Sequence, residues 1–328
     1  MKAEKLARVL LITLVVGVFV AAVAARWMER REYIELHGQM AETGGWIPDV
    51  IQAQVGKPLL LRIASDDVVH GFAVGRSDQP VVDIAPGDVA DITLQFDQPG
   101  EYTFYCTRWC GLNHWRMRGT IQVSGEGEPA AEPVDQPLYL KLGLDIDGPH
   151  KARMFPSALP GKGSVPAGVE LDPSYLSRDY YQAHSPEQVF SDLQQDSDYP
   201  ALPETAVWGL VYQVWSANTT RAGLEQGEQL YRQNCAACHG ESGQGDGVFA
   251  EEVSARFGQS MPGMDHVTGT PTDFTDTENM YGASPALLQG KIIRGGMGTG
   301  MPYWGPIFTD EQTWDLVAYL YTFTMNLR

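Results

Sequence analysis

Two short stretches of this chain concentrate residues that hold metals. The first, Tyr105 to Met117 (YCTRWCGLNHWRM), places Cys106, Cys110, His114 and Met117 within twelve residues. One thiolate followed by a His and a Met describes a mononuclear blue-copper loop. Here a second thiolate lies four residues on, and two bare thiolates this close repel each other. They coexist if each bridges the same pair of cations, which neutralises both in a dinuclear centre. Upstream, SDDVVHGF supplies His70 as a second imidazole, so each metal takes one His while Met117 adds a weak axial donor. Zinc is the rival occupant, but it takes four ligands and has little use for a thioether.

The second stretch, CAACHG, runs from Cys235 to Gly240 and reads C-x-x-C-H, the attachment motif for haem c. Cys235 and Cys238 add to the haem vinyl groups, and His239 is the proximal iron ligand. A bare C-x-x-C also describes a redox disulfide, a reading that the abutting His opposes. The chain has four cysteines, all in these two close pairs, which fits cofactor ligation and not a disulfide framework.

The elements that must position these residues differ along the 328-residue chain, long enough for two or three domains. A formal charge of -18 makes nucleic acid a poor partner and basic proteins or cations better ones. Near the N-terminus, Val9 to Ala25 is apolar and uncharged, at the short end for a membrane span. Residues 1–32 are expected as a transmembrane anchor. A cleaved signal peptide ending near Ala22-Val23-Ala24 is the alternative. Basic residues flank the run equally on both sides and leave its orientation open. The charged stretch Glu29 to Gly44 is expected to continue as a short helix. Over 46–124, short alternating runs such as PLLLRIAS and EYTFYC between Gly, Pro and Asp turns predict a small all-β antiparallel sandwich or Greek-key barrel. Residues 125–221 are expected as a linker and irregular insert, with a capped helix after Ser185 and an apolar stretch, TAVWGLVYQVW, packed on a neighbouring domain. Residues 222–328 are helical again, and Thr309 with Gln312 predicts a capping box.

VVHGF, the APGD and PGEYTFYC turns and C-x-x-x-C-G-x-x-H-x-x-M together resemble the copper A (CuA) domain of cytochrome c oxidase subunit II over residues 46 to 123. LYRQNCAACHGESGQGDG with GTGMPYWG and TDEQTWDLVAYL resembles a class I cytochrome c over residues 222 to 325. These resemblances imply a multidomain chain: an N-terminal transmembrane helix, an all-β cupredoxin-like Greek-key domain and an all-α class I cytochrome c domain. They imply a two-copper centre held by His70, Cys106, Cys110, His114 and Met117, with the backbone carbonyl of Arg108 as a weak further donor. The covalent haem c is implied on Cys235, Cys238 and His239, with Met301 as its distal ligand and Met297 as the rival. Gly227 and Tyr231 on the first helix, with Trp314 and Tyr319 on the last, are the expected contacts where the terminal helices cross. Arg108 departs from the subunit II pattern, which commonly has Glu there to help bind magnesium. A guanidinium has no acceptor for a cation. Trp109 lies in the copper loop itself, where packing and exposure at a docking face are both open.

An anchor, a copper pair and a haem in one chain imply an electron-entry subunit of a membrane haem-copper oxidoreductase, most directly cytochrome c oxidase subunit II. Electrons are expected to run from an external donor, such as a cytochrome c or a small copper protein, through haem c and copper to a polytopic catalytic subunit I. The alternatives are the corresponding subunit of a CuA-containing nitric oxide reductase and a free-standing membrane-tethered carrier. Haem c attachment in bacteria occurs outside the cytoplasm. Hence the expected location is the inner membrane, single-pass, with both metal domains on the periplasmic side. No residue of this chain is expected to be catalytic.

Overall fold

A computed structural model describes residue 16 and residues 33–77, 79, 81–111, 114–128, 136–159, 165, 166, 168–199, 202–257, 269–296 and 300–327. The anchor expected over 1–32 lies outside the described residues, as does Met297. Among the described residues no helix is long and apolar enough to cross a membrane.

Among the described residues the first half holds nine strands: β1 (Ile34–Gly38), β2 (Trp46–Ile47), β3 (Val50–Gln54), β4 (Leu59–Ser65), β5 (His70–Val74), β6 (Val82–Ile84), β7 (Val89–Leu94), β8 (Gly100–Cys106) and β9 (Arg118–Ser124). They form two sheets, ordered β2-β1-β4-β7 and β3-β9-β8-β5-β6. Alternation explains the layering: in β4, Leu59, Leu61 and Ile63 point inward. Phe72, Phe104 and Ile121 of the other sheet share the same buried core. Two findings differ from expectation. The stretch expected as a short helix contains strand β1, because Leu36 and Gly38 turn inward while Glu35 and His37 face out. The sandwich is also not wholly antiparallel. β1 runs parallel to β4, with Ile34 opposite Leu61, and β3 runs parallel to β9.

The second half is helical: α1 (Leu138–Lys141), α2 (Arg178–Ala183), α3 (Pro186–Gln195), α4 (Glu204–Ala217), α5 (Arg221–Asn234), α6 (Ala236–His239), α7 (Ala250–Phe257), α8 (Thr277–Gly282), α9 (Pro285–Arg294) and α10 (Asp310–Leu320). Capping boxes start α3 at Ser185/Gln188 and α10 at Thr309/Gln312. The capped helix expected after Ser185 is α3, helices α1, α2 and α4 also fall in the stretch expected as irregular, and the apolar α4 is buried continuously from Ala206 to Val211. A helix with apolar residues on every side has to be enclosed. Phe190 of α3 stacks on Trp208 of α4 at 4.2 Å, and Trp208 meets Tyr281 of α8 edge-on at 5.2 Å. Trp215 meets Tyr321, just after α10, at 5.3 Å. Helices on both sides of residue 221 thus share one apolar core.

Helices α5 and α10 cross at Gly227. A Cβ there would stand 2.8 Å from the Cβ of Tyr319 and closer still to the backbone oxygen of Asp315. Tyr231, one turn on, packs against Tyr319 at 5.4 Å. Gly227→Ala would gain about 1 kcal/mol of helix propensity. Overpacking against a backbone that cannot swing aside costs ~1–3 kcal/mol, so the clash wins. Thermal unfolding of this variant is expected to occur at a lower temperature than wild type. An unchanged or raised midpoint would show that the helices slide apart freely.

Candidate metal centres

Cys106 ends strand β8 and His70 begins strand β5, and the two strands are antiparallel neighbours with Phe72 opposite Cys106. That pairing brings a histidine from 36 residues upstream beside the cysteine loop. Cys106 Sγ lies 3.7 Å from His70 Nδ1 and 3.1 Å from the carbonyl oxygen of Arg108. Cys110 Sγ lies 3.5 Å from His114 Nδ1 and 3.5 Å from the thioether of Met117. Each sulfur therefore has an imidazole and a weak donor beside it. Donors that each stand about 2.0–2.3 Å from one metal ion are themselves roughly 3–4 Å apart. One ligand atom from each of His70, Cys106 and Cys110 falls within 4.8 Å of the others, and all three residues are buried. Soft thiolates, a thioether and imidazoles suit copper better than harder cations.

Three supporting residues are absent from the motif. The Nε2 of His70 donates to Asp67 Oδ1 at 2.7 Å, leaving Nδ1 directed at Cys106. Such a carboxylate partner fixes the ring and raises its basicity as a ligand. Asp67 also accepts from the backbone N–H of Met40 at 2.7 Å, which ties the segment after β1 to the site. Gly38 closes the pocket from β1: a Cβ there would stand 3.1 Å from the His70 ring and 3.3 Å from the Met117 methyl. Trp46 walls the same side, 6.0 Å from His70. Asp67, three residues before His70 in SDDVVHGF, had a readable local signal. Gly38 and Trp46 had none, because sheet pairing alone brings them there.

The protonation pattern suits a cation pair. Burial opposes charge on Cys106, but hydrogen bonds from Cys110, His114 and His70 outweigh it and hold this thiol well below its usual range. Cys110 is pushed far the other way by its bond to Cys106, by burial and by the adjacent negative charge. A metal ligand must be deprotonated, so metal binding at this pair would be linked to proton release.

In the helical half, Cys235, Cys238 and His239 lie on the single turn after α5. The Nδ1 of His239 donates to the carbonyl of Thr272 at 3.0 Å, which leaves Nε2 free to ligate. Burial lowers the His239 pKa and so favours the neutral ring a metal needs. Burial likewise raises the thiols, Cys235 to about 12 and Cys238 to about 11. Met301 is half-buried in the loop between α9 and α10 and packs against the helical core.

Arg108 points its side chain away from the sulfurs. Its guanidinium grips Asp83 with bonds of 2.8 and 2.5 Å, in a polar cleft that also faces Gln229 and Gln233 of α5. The carbonyl is the part of Arg108 within 3.1 Å of a cluster sulfur. Trp109 stacks on Phe249 of the helical half at 4.2 Å.

A two-sheet cupredoxin-like sandwich with clustered Cys, His and Met side chains is joined here to a helical half carrying C-x-x-C-H. Residues 47–124 match the family described as cytochrome c oxidase subunit II, periplasmic domain, and residues 224–324 match cytochrome c. The chain is thus a fusion of a subunit II periplasmic domain with a cytochrome c domain. Cytochrome c oxidase subunit 2 of Thermus thermophilus is 39% identical over 79 residues, 24% of this chain and 58% of that relative. The match therefore spans just over half of that relative's length. Quinol oxidase subunit 2 of Sulfolobus acidocaldarius is 34% identical over 84 residues, 24% of this chain and 48% of the relative. A cbb3-type cytochrome c oxidase subunit, CcoP of Azospirillum brasilense, is 34% identical over 104 residues, 32% of this chain and 30% of that protein.

Proposed function

We propose that this chain is the electron-entry subunit of a membrane haem-copper oxidoreductase, most directly a cytochrome c oxidase. Single electrons pass from an external donor, such as a cytochrome c or a small copper protein, toward a catalytic subunit I in the membrane. The observation that carries this reading is the paired cluster, in which each of two buried sulfurs has a histidine at 3.5 to 3.7 Å. His70, Cys106, the Arg108 carbonyl, Cys110, His114 and Met117 would hold a dinuclear copper centre. Cys235, Cys238 and His239 would hold a covalent haem c, with Met301 as its distal ligand. When bound, both groups supply one-electron redox chemistry with no substrate position.

The chain's own residues make the copper cluster rigid, which suits electron transfer because little need rearrange. Asp67 fixes the His70 ring, and the Gly71 N–H donates to Cys106 Sγ at 3.4 Å. Trp46, Phe72 and Phe104 pack together beneath the site and exclude water. On the haem side, Phe274 stacks on His239 at 4.7 Å while Thr272 fixes its tautomer. The apolar segment in 1–32 would anchor the chain in the inner membrane, with both metal domains on the periplasmic side.

Metal analysis of the purified chain is expected to give two coppers and one haem iron, and electron paramagnetic resonance to show a spin shared over both coppers. Zinc in their place, or one isolated copper signal, would overturn the reading. Oxygen or nitric oxide consumption by the purified complex distinguishes the oxidase from the reductase assignment.

A further inference from the structure

Arg108 contributes two groups that face opposite ways, and Asp83 bears on how both are held. The carbonyl oxygen of Arg108 lies 3.1 Å from Cys106 Sγ. Its guanidinium forks onto Asp83, with Nε at 2.8 Å and a terminal nitrogen at 2.5 Å. Asp83 is the outward residue of β6 and sits directly opposite Gly71 of β5. Gly71 follows His70 and donates its N–H to Cys106 Sγ at 3.4 Å, while its carbonyl accepts from the Thr107 N–H at 2.9 Å. Its missing side chain leaves the room that the pair uses. A Cβ there would collide with the Thr107 hydroxyl and stand 3.1 Å from the Arg108 stem and 3.3 Å from Asp83 Oδ1. The fork is thus pressed against a residue that bonds both the Cys106 sulfur and the backbone of its loop.

Folding stability does not account for this fork. Its side chains are 54% and 46% exposed, and ion pairs so open to solvent add little to stability. What a bidentate fork supplies is direction, because two parallel N–H bonds fix the plane of the guanidinium. Direction matters here because other acids share the cleft. Glu225 and Glu228 of α5 line it together with Arg108, although Arg221 and Arg232 already pair with them. A guanidinium turned toward α5 would pull on the Arg108 peptide and draw its carbonyl off Cys106. The fork also brings opposite unit charges together beside the cluster, so that neither acts on it alone.

We propose that Asp83 is a positioning residue of the copper loop: it holds Arg108 against Gly71, fixes the Arg108 carbonyl beside Cys106 and cancels the guanidinium charge there. The charge effect rests on the reading of the cluster as a copper centre, whereas the hold on the loop rests on this chain's geometry alone. An uncancelled guanidinium beside the cluster favours its reduced, less positive state, and an uncancelled carboxylate favours the oxidised one. Asp83→Asn and Arg108→Gln therefore move the copper potential in opposite directions, the first up and the second down. A pair that served only to pack the loop would move both variants alike.

The test uses the detergent-solubilised full chain. With copper removed by chelation, the rate at which a thiol reagent labels Cys106 is read by mass spectrometry of its peptide. Asp83→Asn is expected to raise that rate about two- to fivefold, the loosening that loss of a half-exposed ion pair supports. Asp83→Glu should restore it, and the thermal midpoint of both variants should stay close to wild type. In copper-loaded protein, redox titration is expected to shift the oxidised-to-reduced ratio about threefold toward reduced in Asp83→Asn. Arg108→Gln should shift it toward oxidised by a similar factor, and the double variant should return near the wild-type potential. A Cys106 rate unmoved by Asp83→Asn overturns the positioning role. Shifts of the same sign in the two single variants overturn the charge cancellation. A chain that takes up no copper while Cys106 labels faster refutes the copper reading and keeps Asp83 as the residue that holds the loop.

Discussion

Cys110→Ser is expected to abolish the dinuclear copper centre while the chain still folds and still carries its haem. The sulfur of Cys110 meets both the His114 imidazole and the Met117 thioether at 3.5 Å. A serine oxygen is smaller and harder, and soft copper prefers thiolate and thioether donors. Two cations also need two anionic bridges; with Cys106 alone the cluster has charge for one. The fold has little reason to fail. The sandwich core of Leu36, Leu61, Phe72 and Phe104 is untouched, and burying a hydroxyl costs about 1–3 kcal/mol on mutational scales. Copper per chain should fall by at least half and the shared-spin resonance should vanish, with haem iron unchanged. A Cys110→Ser protein that keeps two coppers and the shared spin would rule out bridging by this sulfur.

The parts of this site that the sequence disclosed are those whose spacing is local. Cys106, Cys110, His114 and Met117 sit on one loop, so their types and intervals already imply a common centre. Cys235, Cys238 and His239 share one helical turn for the same reason. His70 was legible because a strand must supply the second imidazole. The residues that hold His70 in place were harder to see. Gly38 reaches the site because β1 lies parallel to β4 and places Gly38 opposite Ser65. That register follows from the whole sheet, not from any motif. Strand β1 was itself obscured by charge: Glu35 and His37 dominate its composition, although only its outward face carries them. Between residues 178 and 217, α3 was legible from its Ser185 cap, whereas α4 was hidden differently. Trp208, Val211 and Trp215 suggest one apolar face, yet α4 packs against α3, Tyr281 and Tyr321 and is buried without a break from Ala206 to Val211, which blurs its period. The Trp109–Phe249 contact joins residues in different halves and leaves no local trace at all.

Cys235→Ala combined with Cys238→Ala is expected to remove covalent haem and to destabilise the helical half far more than any single core truncation. The attachment turn is a node of the local network. Its His239 N–H bonds back to Cys235 at 2.9 Å, Gly245 bonds to the His239 carbonyl at 2.9 Å, and Gly247 bonds to that of Cys238 at 3.1 Å. Tyr231 on α5 fastens the following residue, donating to the Gly240 carbonyl at 2.7 Å. Phe274 and Phe323 close over the same region, with Phe274 stacked on His239. A porphyrin bound among these rings would bury more apolar surface than a side chain, and truncating one buried aromatic already costs about 3–5 kcal/mol. Losing both attachments should therefore leave the rings around the attachment turn without the group that would cover them. Haem staining after denaturing electrophoresis should disappear in the double variant, and the helical half should unfold at a markedly lower denaturant concentration. The copper centre depends on the other half's own core, so copper content should persist. Haem that survives denaturation in the double variant would show that Cys235 and Cys238 are not its points of attachment.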